Sequence, residues 1–224
     1  NNNLKKNSST IKSKFYDLGL KKYRKKIHKI FLNSFNLKPN TKILDVGTTE
    51  LLDDHENYLL NNYNHKESLT CFSNQNLKKL KDAFPSINIL QGDGKKMPIE
   101  DKSYNIVYSN ATIEHVGSDD EQIKFLSELF RVSSEGVFVT TPNRFFPLDL
   151  HTMLPLIHFF PKKIHRKILN ILNYKFLSKE ENLNLLSKND LERMCKILDI
   201  KNYEIKKIKI SLFTSNFLFI IKKN

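Results

Sequence analysis

Long apolar runs are missing from this 224-residue sequence. The longest, Met153 to Phe160, has eight residues and contains Pro155 and His158. A membrane-spanning helix needs about 20, so no spanning segment is expected. Cysteine is scarce, with only Cys71 and Cys195. So far apart, they offer no metal-type spacing, and two unpaired thiols in a reducing cytoplasm are expected. No Gly-x-x-x-x-Gly-Lys run occurs, which argues against a phosphate-cradling nucleotide site. No internal repeat is present. The Asn/Lys/Ser-rich start has no apolar core of the kind a secretory leader carries.

Acids are the minority, 24 against 37 lysines and arginines, for a net charge of +13. That excess suggests a polyanionic partner until it is located. Residues 1–30 hold ten basic residues against one acid, Asp17, while the rest of the chain has 27 basic and 23 acidic residues. A basic amino end can touch anionic membrane or RNA, but it is often only a solvated face. With 39% hydrophobic residues and 16 Phe, the remainder can bury a sizeable core as one domain.

The pattern along the chain divides it. Residues 1–14 read as a flexible basic tail. Residues 15–35 read as a basic amphipathic helix, with Leu20, Tyr23, Ile27, Ile30 and Phe31 on one stripe. Strand-like and helix-like segments then alternate. Strands fit 41–47, 67–72, 87–91, 104–109 and 136–141, and helices fit 53–62, 74–83 and 120–132. Such alternation implies parallel strands joined by crossover helices. Residues 143–187 read as an irregular insert, apolar and then basic. A helix at 188–198 follows. Strands at 203–212 and 216–222, joined by a turn at 213–215, would pair antiparallel.

The strand Tyr104–Ser109 is apolar enough to be buried on both faces. It ends in small polar residues, Ser109 and Asn110, and Glu114-His115 follow. Buried strands ending in polar loops are how open α/β sheets present ligand sites at their carboxyl edge. Upstream lie Ile43-Leu44-Asp45-Val46-Gly47, Gly92-Asp93-Gly94 and Met97-Pro98-Ile99. Together these stretches resemble the central motifs of class I S-adenosylmethionine-dependent methyltransferases of the type 11 group. Residues 145–161 and 182–187 resemble a bacterial subgroup with an altered glycine loop, so the likeness spans most of the chain.

The resemblance implies a Rossmann-like three-layer α/β/α sandwich. Its mostly parallel seven-stranded sheet would end in a carboxyl-terminal antiparallel hairpin, within a single methyltransferase-like domain over 15–224. It implies S-adenosylmethionine as cofactor. Asp45 would hold the amino group directly or through water, Gly47 would permit close approach, and Asp93 with Gly94 would meet the adenine. Asn110 would join the floor beside the reactive methyl. His115 is the candidate base because imidazole titrates near neutrality, with Glu114 either orienting it or binding cofactor; a purely structural His115 is the equal alternative. Asn143, Arg144 and His151 fall where the acceptor usually enters, with the insert as a lid. No metal is expected, since the histidines have no carboxylate or cysteine at metal spacing.

Two positions depart from the family pattern. Thr48-Thr49-Glu50 replaces further glycines, so either the loop follows another path with threonine hydroxyls, Thr48 first, meeting the cofactor carboxylate, which is the favoured expectation, or cofactor binding is weakened. Cys71 stands where an acid usually accepts the ribose hydroxyls. Ser73 is the nearest replacement, with Asn74, Gln75 or Glu50 as others. The expected acceptor is a small molecule or a lipid- or saccharide-linked one, with possible peripheral contact at an anionic membrane. An RNA or protein acceptor anchored by the basic first helix, and a silent binding module, are the rivals.

Overall fold

The structure, a computed structural model, describes residues 21–52 and 57–223. The expected tail, the start of the first helix and residues 53–56 of the expected second helix lie outside the described residues. Among the described residues seven strands form one sheet: β1 (Ile43–Val46), β2 (Leu69–Ser73), β3 (Asn88–Gln91), β4 (Tyr104–Asn110), β5 (Ser133–Pro142), β6 (Tyr203–Ile210) and β7 (Phe213–Lys222). Their order is β3-β2-β1-β4-β5-β7-β6. The first five run parallel, and β7 lies antiparallel between β5 and β6. Helices α1 (21–34), α2 (Tyr58–Asn62), α3 (Lys78–Ala83), α4 (Asp119–Val132), α5 (Lys162–Ile171) and α6 (Lys188–Ile197) flank it.

Alternate side chains of the central strands enter opposite layers, as a pleated backbone requires. Ile43, Ile106 and Phe138 pack with Ile27 and Phe31 of α1 and with Leu59 and Leu60 of α2. Their sequence neighbours Leu44, Val107 and Val137 pack with Phe125 and Leu129 of α4 and with Leu191 and Met194 of α6. The result is the Rossmann-like α/β/α sandwich. Strand β1 is flanked by β2 on one side and β4 on the other, so the chain leaves it in both directions. That reversal opens a crevice at the carboxyl edge of the sheet.

Two expectations are corrected. The hairpin turn lies at Ser211 and Leu212, not at 213–215: Ser211 adopts φ 54°, and β7 begins at Phe213. Two-residue hairpin loops favour such left-handed backbone because it matches the strand twist. The insert is also not wholly irregular, since α5 forms directly after Pro161 and buries His165 and Leu169 four residues apart. No helix among the described residues is long and apolar enough to cross a membrane.

Candidate functional site

A cleft of about 720 Å³ opens at the reversal point, within the usual range for small-ligand sites. Val46 to Thr49 form its floor, Phe72 to Gln75 and Gly92 to Lys95 one wall, and Ala111, Thr112, His115 and Val116 the other. The insert closes it with Phe176, Glu181 and Asn182, residues given no role from the sequence. Gly47 sits at φ +95°, and a Cβ there would lie 2.1 Å from Thr112 Oγ1. The β1 loop therefore packs against Thr112 more closely than a side chain at this position would allow.

The loop after β1 is held without further glycines. Asn57 accepts from the Thr49 N–H (3.2 Å) and donates to the carbonyls of Thr49 (2.9 Å) and Leu51 (2.7 Å). The Thr48 hydroxyl donates to the Asp45 carbonyl (3.0 Å), so it is committed to the turn. Thr49 Oγ1 is buried without a partner and lines the cleft. A buried hydroxyl left unpaired costs free energy unless a ligand completes it. Thr49→Val is expected to weaken cofactor binding about tenfold with melting temperature unchanged, whereas Thr48→Val should cost about 1 kcal/mol of stability. Calorimetric titration and thermal melts separate the two, and equal cofactor affinity in Thr49→Val and wild type would remove Thr49 from the site.

Asp45 and Asn110 stand one layer below the cleft. They line a separate cavity of about 20 Å³ that shares Gly47 and Thr48 with it, room for about one water. Burial pushes the Asp45 carboxyl up to about 7, against a smaller opposing effect from Thr48. Asn110 accepts from Thr140 Oγ1 (2.7 Å). The next residue, Ala111, is held at φ 50°, a rare conformation for a residue with a Cβ and one found at functional turns.

Cys71 pairs with Asp45 across β1 and β2 and is fully buried in the α1–α3 layer. Burial raises its thiol, and it does not line the cleft. Ser73, Asn74 and Gln75 do, with the Gln75 N–H donating to Ser73 Oγ (3.2 Å). Glu50 is turned to Lys79 (3.3 Å) and is not among the lining residues. Asp93 accepts from the Lys95 N–H (2.9 Å), while the backbone at Gly94 packs against the Phe125 ring, 2.7 Å from where a Cβ would stand.

Glu114 is completely buried. Its Oε2 accepts from Thr141 (3.0 Å), and its Oε1 has no partner. His115 is exposed toward the cleft, with Nδ1 2.7 Å from the Asn182 carbonyl. His151 rests edge-on against it, ring centroids 5.0 Å apart. Asn143 and Arg144 do not line the cleft. Asn143 donates to the Thr214 carbonyl (2.8 Å) and accepts from the Phe145 N–H (3.0 Å). Arg144 donates to the carbonyls of His158 (3.3 Å) and Phe160 (2.8 Å). These two brace the insert, because carbonyls from the hairpin and the insert reach them first. The insert returns through Asn184, whose N–H meets the Glu114 carbonyl (2.7 Å) and whose carboxamide donates to Gly117 (3.0 Å) and Asp119 (2.9 Å). Buried Gln122 joins the Ile113 and Asn184 carbonyls from below.

A sheet of this order with a cleft at its switch point defines a Rossmann-like methyltransferase fold. Residues 48–140 match the family model described as a methyltransferase domain. Solved structures share the fold at low identity. A methyltransferase of Methanosarcina mazei is 15% identical, covering 87% of this chain and 96% of its own at a TM-score of 0.55. One from Archaeoglobus fulgidus is 13% identical over 91% and 94%, TM-score 0.56. Human N-acetylserotonin methyltransferase, in complex with S-adenosylmethionine, is 16% identical over 86% of this chain and 50% of its own, TM-score 0.55. No curated protein sequence matches. Residues 48–140 thus carry a methyltransferase domain of the type 11 family, a family whose cofactor is S-adenosylmethionine. The cleft fits that molecule in the polar group it leaves open: the Thr49 hydroxyl lines it, buried and without a partner.

Proposed function

We propose that this methyltransferase acts on a lipid-linked acceptor at an anionic membrane surface. The carrying observation is the composition of the insert's exterior. Among the described residues, ten of the eighteen exposed large hydrophobic ones fall between Phe145 and Phe176, including Phe159, Phe160, Ile164 and Ile171. Exposed Lys163 and Lys167 lie on α5 among them. Apolar side chains rimmed by cations suit insertion into the headgroup layer of an anionic bilayer. The same insert reaches the cleft through Phe176 and Asn182, so an acceptor presented from that surface has a short path to the methyl donor.

In this reading Gly47, Thr49 and Ser73 hold the cofactor's tail and ribose, Asp93 and Gly94 flank its base, and Asp45 meets the amino group through water. The cofactor supplies an electrophilic methyl group on sulfur. The protein orients donor and acceptor in line and excludes water, which supplies much of the acceleration in such displacements. His115 faces the cleft at the edge where the acceptor enters. Flotation with phosphatidylglycerol-containing vesicles is the direct test, followed by extraction of labelled product from lipid extracts. Reversing Lys163 and Lys167 to Glu should weaken vesicle binding more than tenfold, since each basic residue near such a surface contributes about 1 kcal/mol. Equal flotation on neutral phosphatidylcholine, or label found only in RNA, would refute the membrane reading.

A further inference from the structure

We infer that Glu114, His115 and His151 form a binding site for a divalent first-row transition-metal ion at the acceptor edge of the cleft. Sequence spacing gave no hint of it, because His151 lies 36 residues from the Glu114-His115 pair. In the fold, one carboxylate oxygen of Glu114 and one ring nitrogen of each histidine lie within 4.8 Å of one another. Around an ion bound at about 2.0–2.2 Å, tetrahedral ligand atoms stand about 3.4 Å apart. Modest side-chain rotation closes the difference, and His115 is exposed enough to make it.

Three further observations point to a ligand. Glu114 is completely buried with Oε1 unpartnered, an arrangement that is costly unless something completes it. The Asn182 carbonyl 2.7 Å from His115 Nδ1 can only accept, so Nδ1 carries the proton and Nε2 keeps its lone pair. His151 has the same arrangement with a carboxylate, its Nδ1 lying 3.2 Å from Asp149 Oδ1. Asp149 is itself buried and fixed by the Thr152 hydroxyl (2.7 Å). Outer partners that fix the histidine tautomer in this way are the usual companions of metal ligands. Two imidazoles and one carboxylate favour zinc, cobalt or iron over magnesium or calcium. Three protein ligands leave coordination positions open, and the ion retains one net positive charge. Both features suit the capture of an acceptor oxygen or nitrogen beside the methyl donor.

The test is titration of the untagged full chain with Co²⁺, read by visible absorption, and with Zn²⁺, read by competition with a chromophoric chelator. One equivalent should bind with a tetrahedral or five-coordinate Co²⁺ spectrum. His115→Ala and His151→Ala should each weaken it at least 100-fold, and Asp149→Asn by 10–100-fold, while His65→Ala should have no effect. Should His151→Ala fail the circular-dichroism check for folding, His151→Gln replaces it. Absence of saturable binding, or undiminished binding in the His115→Ala/His151→Ala double variant, would overturn the site. Calorimetry of S-adenosylmethionine on the same samples reads the methyl-donor function independently of the metal.

Discussion

Asp45→Asn should make the cofactor-free protein more stable at pH 8 while abolishing much of its affinity for S-adenosylmethionine. Burial raises the Asp45 carboxyl from 3.8 to about 7, a penalty on the order of 4 kcal/mol for the ionised form. Between about pH 4 and 7 the folded chain holds a proton that the unfolded chain has released. Stability from this group therefore falls as pH rises through that window, and the penalty is complete above 7. Asparagine has no such window. Its advantage should be absent near pH 4, grow to neutrality and reach roughly 10 °C in melting temperature at pH 8. Cofactor affinity should fall about tenfold, because the water between Asp45 and the amino group loses its charged acceptor. A pH-independent difference between the two melts would show that Asp45 is not the titrating group.

Gly47→Ala should abolish cofactor binding, by more than 100-fold, and cost about 3 kcal/mol of stability. Two effects combine. The added Cβ would lie 2.1 Å from Thr112 Oγ1 and 2.8 Å from its Cβ, so the β1 loop and the loop after β4 must part. The backbone also stands at φ +95°, costing a residue with a Cβ on the order of 1–3 kcal/mol. Pairing the change with Thr112→Gly relieves the first effect and leaves the second, so the double variant should regain part of the stability. Its cofactor affinity should stay low, because the Gly47 N–H that anchors the loop to the Phe72 carbonyl (2.9 Å) is displaced with the backbone. Near-native cofactor affinity in Gly47→Ala would refute the close-approach role. Denaturant melts and calorimetry read both quantities.

The fold was legible because its strands carry their own signature. Ile43-Leu44, Ile106-Val107 and Val137-Phe138 are apolar at consecutive positions, as strands covered on both faces must be. Gly47 and Asp93 line the cleft, and that placement was legible for a similar reason, since each sits in a short motif whose geometry is local. The choice between Thr48 and Thr49 was not, because it depends on which hydroxyl the turn itself consumes. Asn143 and Arg144 looked available for substrate at the end of a strand, yet carbonyls contributed by Thr214, His158 and Phe160 reach them first. Helix α5 was hidden among prolines and apolar residues on both sides. The convergence of Glu114, His115 and His151 depends on how the insert folds back, which no spacing along the chain encodes.

The return path of that insert has a consequence for the order of events in a catalytic cycle. Phe176, Glu181 and Asn182 wall the cofactor cleft, and two residues further on Asn184 is pinned to Glu114, Gly117 and Asp119. On the membrane reading proposed above, seating the exterior of the insert on a bilayer would also steady the outer wall of the cleft. By thermodynamic reciprocity, vesicles that tighten cofactor binding by some factor must have their own affinity tightened by the same factor when cofactor is present. Donor loading would then act as the signal that commits the protein to the surface, and departure of the spent donor as the signal that releases it.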